Sequence, residues 1–122
     1  MIELIVPDQA PTHNNAYFNN FGHGRTMKSD VRHWKERVVA QVERYVEENG
    51  IDPAKLKKVP MRLEIKFYLV AMYRSDLDGR IKIIQDALFK GLGLNDAYVV
   101  DLHVTKHLDK EYPRSEISMR PM

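Results

Sequence analysis

Met61-Arg62-Leu63-Glu64-Ile65-Lys66-Phe67-Tyr68-Leu69-Val70-Ala71-Met72 is the stretch whose pattern decides the fold. Met61, Leu63, Ile65, Phe67 and Leu69 alternate with Arg62, Glu64, Lys66 and Tyr68. A period of two sends one set to each face of a strand, so the spacing predicts a strand over 61–72 with one buried face. Upstream, Val31, Trp34, Val38, Val42 and Tyr45 recur at helical spacing and form one apolar stripe. Ser29 or Asp30 is the expected cap of that helix, Asn49-Gly50 its stop, and Pro53 lies just beyond. Downstream, Asp76 is the expected N-cap of a second helix, with Leu77, Ile81, Ile84 and Leu88 on its core side. Gly91 and Gly93 are expected to break it.

Further out, residues 2–6 read as a short strand stopped by Pro7. Residues 98–108 read as a strand with Val100, Leu102, Val104 and Leu108 inward, and 115–120 as a last strand with Ile117 and Met119 inward. The order is β-α-β-α-β-β. It predicts a single domain over 1–122 of α+β (mixed α/β) class, with helices packed on a mixed sheet. Residues 7–28 show no period and are rich in Asn, His and Gly. They are expected to form a long loop, and long loops in compact domains are often functional.

Composition narrows the chemistry. The chain has 122 residues, 43% of them hydrophobic, so it can bury a core. With no cysteine, a disulfide scaffold, a thiolate zinc site and a catalytic thiol are excluded. No apolar run approaches the length of a membrane span. The start, Met1-Ile2-Glu3-Leu4-Ile5-Val6-Pro7, lacks the basic and apolar regions of a secretory leader. The expectation is a cytoplasmic protein with no membrane partner. Nineteen Lys and Arg stand against seventeen Asp and Glu. Between Gly24 and Arg44, Arg25, Lys28, Arg32, Lys35, Arg37 and Arg44 outnumber Asp30, Glu36 and Glu43 by three. That excess permits a polyanionic partner.

The chemistry-bearing segment is Arg74-Ser75-Asp76-Leu77-Asp78-Gly79-Arg80-Ile81-Lys82, followed by Asn95-Asp96 and Asp101. Asp76 and Asp78 stand where a strand hands over to a helix, so their side chains can converge. Asp78, Lys82 and Asp86 are spaced to share one helical face. Asp96 follows a glycine-punctuated turn, which can return a third carboxylate to the first two. Carboxylates without Cys or a His cage suit a hard, oxygen-preferring cation such as Mg²⁺. Such ions serve phosphoryl chemistry, and a nearby Lys can steady developing charge. The same residues also read as a helix cap, favourable helix-dipole charge and an ion-pair ladder.

Several motifs, in order, resemble the RusA family of Holliday-junction resolvases, small endonucleases often encoded by phages and prophages. Pro11-Thr12-His13-Asn14-Asn15 with Tyr17, then Gly24-Arg25-Thr26, is similar to the family's N-terminal segment. Tyr73-Arg74-Ser75-Asp76-Leu77-Asp78, with Lys82 and Asp86-Ala87-Leu88, resembles its core D-L-D-N-x-x-K…D-A-L motif. Asn95-Asp96-Ala97-Tyr98-Val99-Val100-Asp101 resembles its D-D-x-x-V-x-D stretch, and Lys106 falls where a later Lys recurs. Gly79 stands where the family usually has Asn, and Asn95 where an acid often precedes the last catalytic Asp.

The resemblance implies metal-binding carboxylates at Asp76, Asp78 and Asp96, an essential Lys82, and a Mg²⁺-dependent homodimer, with Mn²⁺ as a substitute ion. It implies paired nicks across a branched, four-way DNA junction during recombination and repair. Arg25, Lys28 and Arg74 are the expected phosphate contacts. The alternative is a catalytically weak protein that binds branched DNA. A structural protein with Asp76 as a simple cap, and a metal enzyme acting on nucleotides, are the further rivals. The strand at 61–72 and the C-terminal strand are the expected places for a dimer contact, as possible sheet edges.

Overall fold

The computed structural model describes residues 1–12, 17–19, 25–27, 29–73 and 76–122. Strand β1 (Ile2–Pro7) is followed by β2 (Tyr17–Asn19) and β3 (Arg25–Met27). Then come helix α1 (Ser29–Glu48), strand β4 (Met61–Leu69), helix α2 (Asp78–Leu92), β5 (Val99–Leu108) and β6 (Arg114–Pro121). Short 3₁₀ turns at Pro53–Leu56 and Asp96–Tyr98 precede β4 and β5. The main sheet runs β1-β6-β4-β5. β6 is antiparallel to both β1 and β4, whereas β4 and β5 are parallel. The α+β class and the mixed sheet are as expected.

β4 carries the pattern that defines the core. Met61, Leu63, Ile65, Phe67 and Leu69 are buried, and the residues between them are half-buried or exposed. Ile117 and Met119 of β6, and Ile2, Leu4 and Val6 of β1, extend the same apolar layer. α1 adds Val31, Trp34, Val38 and Val42 to it, as the stripe predicts.

Four expectations are corrected. The stretch 7–28 is not all loop: Pro7 belongs to β1, and Tyr17–Asn19 pairs antiparallel with Arg25–Met27. The helix α1 already includes Ser29 and Asp30, and Asp30 accepts the amide of Val31 at 2.9 Å within the first turn. Asp76 is not the N-cap of α2. Leu77 holds that position, and Asp76 Oδ1 instead accepts the amide of Asp78 at 3.0 Å. Ile83, Ala87, Phe89 and Leu92 join Ile84 and Leu88 in the core, so α2 buries a wider face than the predicted stripe.

Two further differences lie in β5 and in the glycines. Val100 does not point inward. The pairing slips between Met61 and Arg62, which face Val99 and Asp101, so Val100 is the extra residue and Val99 packs on the core in its place. Gly91 does not break α2 either. The helix runs on to Leu92, and Gly93 ends it in the left-handed conformation at φ 68°. Gly91 is needed where the helices touch: a Cβ there would lie 2.7 Å from Val42 Cβ and 2.8 Å from its Cγ1.

The two strands expected to carry a dimer contact as sheet edges are both interior. β4 lies between β6 and β5, and β6 between β1 and β4.

Gly91→Ala should therefore destabilise the fold by about 1–3 kcal/mol through overpacking, although Ala is the better helix former. Val42→Ala in the same chain should recover part of the loss by making room. Urea denaturation of the two single variants and the double variant measures the coupling.

Candidate active site

β4 delivers the chain to one end of the sheet, and α2 starts there. Asp76 and Asp78 are both exposed at this start. The bond from the Asp78 amide to Asp76 Oδ1 folds the first carboxylate back over the second residue. Both acids also lie near the positive end of the helix dipole, where negative charge is stabilising. Lys82 stands one turn further along α2. It is exposed, and its Nζ lies 3.3 Å from Asp86 Oδ1, so the predicted face of acid, amine and acid is present.

Asp96 is elsewhere. Because β4 and β5 are parallel, the connection between them must return along the full length of the sheet. The fifteen residues of α2 cover that distance, roughly 22 Å at 1.5 Å per residue. Asp96 comes after the helix has ended, in the turn leading to β5. There it lines a shallow depression with Lys35, Asp86, Phe89, Lys90 and Asn95. The structure thus brings Asp76 and Asp78 together with Lys82 close by, and it places Asp96 at the far end of α2. Among the described residues, no three acidic or imidazole side chains gather into a group able to hold a metal ion.

Asn95, where the resemblance leads one to expect an acid, has a local task. Its Oδ1 accepts the amide of Ala97 at 2.9 Å and caps the turn that carries Asp96. Asp101 fastens the sheet: its carboxylate takes Arg62 Nε at 2.7 Å and His103 Nε2 at 3.0 Å. The Arg62 hydrogen bond, foremost, holds the Asp101 carboxyl below its usual range. Arg25 lies in β3, paired through its backbone with Asn19. Lys28 and Arg74 lie outside the described residues.

Arg80 was missed by the sequence. It is only 6% exposed, on the first turn of α2, and its Nη1 donates to the carbonyl of Ala10. Its Nε has no hydrogen-bond partner among the described residues. Burial pulls the guanidinium below its usual pKa, and the charge of Asp76 opposes that pull. The signal was positional: Arg80 sits three residues after Leu77 and four before Ile84, within the apolar stripe. Arg80 therefore ties the end of the N-terminal segment to the helix turn that bears both acids.

The sequence matches the family described as Endodeoxyribonuclease RusA over residues 8–120. The chain belongs to that family. The match takes in both ends of α2 and every candidate residue, from Arg25 to Asp96. No curated protein matches the chain. Membership makes it an endodeoxyribonuclease. No helix among the described residues is long and apolar enough to cross a membrane.

Arg80→Met should keep most of the buried volume while leaving the Ala10 carbonyl without its donor. The expected cost is about 1–3 kcal/mol, the scale for a buried acceptor left unsatisfied. A lower urea midpoint checks it. An unchanged midpoint would mean that the contact with Ala10 does not hold the segment.

Proposed function

We propose that the protein resolves four-way DNA junctions by paired, Mg²⁺-dependent nicks and acts as a homodimer. The observation that carries this is the pair Asp76 and Asp78, exposed together at the start of α2 with Lys82 one turn on, in a member of an endodeoxyribonuclease family. The donor set fits Mg²⁺, which takes one or two carboxylates and keeps its remaining positions for water and substrate phosphate. Bound there, the ion would supply charge neutralisation at the scissile phosphate and a more acidic water; Mn²⁺ has the same preference for oxygen donors.

The chain's own residues do the rest. Asp76 and Asp78 present oxygen donors on a helix terminus rather than on a free loop, so their spacing is set by the backbone bond between them. Lys82 offers a fixed positive charge to the phosphate. Its ion pair with Asp86 keeps the side chain along the helix until DNA arrives. Arg74 stands just before Asp76 in sequence, Arg25 and Lys28 belong to the N-terminal segment, and all three serve as phosphate contacts.

Two nicks placed symmetrically across a junction call for two sites related by a two-fold axis, the commonest symmetry of oligomers. The separation along α2 supports the same assembly. One copy keeps Asp96 far from its own Asp76 and Asp78, and a second copy can bring its Asp96 to them. A cytoplasmic site of action and a phage or prophage origin go with this function.

A synthetic four-way junction and a linear duplex of the same sequence, each with and without Mg²⁺, test the proposal. Symmetric paired nicks in the junction alone, with metal alone, are expected. Asp78→Asn should slow cleavage by about 10²–10³-fold, the scale for losing one charge-stabilising group, with junction binding retained. Lys82→Ala should lower the single-turnover rate without a matching change in binding. Binding without cleavage by the wild-type protein would leave the alternative, a branched-DNA binder.

A further inference from the structure

We propose that a cavity beside the turn before β5 takes one unstacked base of the bound DNA, with the flanking phosphates held by lysines on either side of that turn. This rests on the proposed action on branched DNA and names a subsite for the branch point.

The cavity holds about 260 Å³ and lies where β4 and β5 begin and α2 ends. Met61 and Phe89, 2% and 4% exposed, line it from the core, and Leu94 packs against the same core. Tyr98 adds a half-buried ring. Pockets for drug-sized ligands run to about 300–1,000 Å³, so this one suits a single planar ring system rather than a larger cofactor. A base pulled from its stack recovers that stacking on an apolar wall with an aromatic ring.

The rim is charged. Lys57 and Lys58 line the cavity and are exposed, and neither ammonium has an ion-pair partner among the described residues. The two lysines form the centre of a type II turn. Lys57 stands at φ −63°, ψ 128° and Lys58 at φ 61°, and the amide of Val59 donates to the carbonyl of Leu56 at 3.2 Å. The position of Lys58 in such a turn ordinarily takes Gly or Asn, because φ is positive there. A lysine is held at that position against backbone strain. Strain of this kind collects at ligand clamps, where the side chain has a task.

The far side of the turn before β5 carries the rest. Phe89, Gly93, Leu94 and Asn95 line both the cavity and the depression that holds Asp96, Lys35 and Lys90. Residues 93–95 are thus a ridge with two lysines on each side, and Asp96 shares the side of Lys35 and Lys90. A DNA strand crossing the ridge lays one phosphate toward Lys57 and Lys58 and the next toward Lys90 and Lys35. The base between them turns into the cavity. Asn95 Oδ1 is taken by the amide of Ala97, so the Asn95 amide NH₂ is the donor left for a base edge. Bases at a branch point have already lost part of their stacking, which lowers the cost of extrusion.

Four-way junctions with one abasic site, placed in turn at each nucleotide of the branch point or well inside an arm, test this. Binding is read by gel shift in EDTA, so that nothing is cut. One branch-point site should weaken binding by about tenfold, the scale of one stacked base, and the arm sites should not. Tyr98→Ala should bind the intact junction as weakly as the wild type binds the abasic one, with no further loss at that site. Lys57→Ala, on an exposed side chain, should lower the slope of log affinity against log salt by about one. Equal affinity for every abasic junction, or an unchanged slope for Lys57→Ala, would overturn the proposal. So would binding of a free deoxynucleoside monophosphate, lost in Tyr98→Ala, alongside normal binding of every abasic junction; the cavity would then serve a free nucleotide and not the substrate. Cleavage by the wild-type protein is scored separately. Base-dependent binding without paired nicks keeps the cavity's role and removes junction resolution. Paired nicks without any abasic effect do the reverse.

Discussion

The parallel pairing of β4 with β5 is the constraint on which the rest of the structure depends. Two parallel neighbours cannot be joined by a tight turn, so the chain must leave one end of the sheet and re-enter at the other. α2 makes that return, and its length divides the acidic residues into two sets. Asp76 and Asp78 stand where the helix leaves, and Asp96 where the chain re-enters. The same return presses α2 against α1. The contact at Gly91 and Val42 is so close that a single methyl group would have to displace a neighbour. Helix packing, sheet topology and the placement of the candidate site are thus consequences of one strand pairing.

Much of this was legible in the sequence because burial on one face leaves a period. The alternation from Met61 to Leu69 marks β4 and its buried face correctly, since every odd residue there meets the core. The stripe from Val31 to Val42 marks α1 for the same reason. The pattern fails where burial is not one-sided. α2 is covered over a broad face, so Ile83 and Phe89 fall outside a single stripe. β5 is an edge, so its apolar residues are only partly covered, and the slip at Val100 cannot be read from alternation. Arg80 is hidden because a cation in an apolar stripe looks like an exposed residue unless its partner, the Ala10 carbonyl, is known.

The candidate site could be named residue by residue from the sequence, but its arrangement could not. The motifs identify the acids and Lys82, and the helix face from Asp78 to Asp86 is fixed by spacing alone. Whether Asp96 returns to the other acids depends on strand direction, and that depends on a non-local pairing. Parallel pairing sends Asp96 away. In the proposed homodimer a second copy supplies the Asp96 that one copy keeps away, so the functional unit would be larger than the chain. The polar partners fit this division. Arg62 and His103 hold Asp101 in the sheet, and Asn95 holds the turn before β5, which leaves Asp96 at the surface depression beside Lys35 and Lys90.

The claim that the two acidic sets join across copies is tested most directly by mixing two impaired variants. Asp78→Asn and Asp96→Asn alone are each expected to cleave about 10²–10³-fold more slowly than the wild type. Co-folded, they form a heterodimer in which one site carries both lesions and the other carries none. The account predicts that the mixture regains nicking of the four-way junction, with one strand cut per binding event rather than two. A mixture as slow as its parts, under conditions where exchange of subunits is demonstrated, would place all three carboxylates within one copy and contradict it.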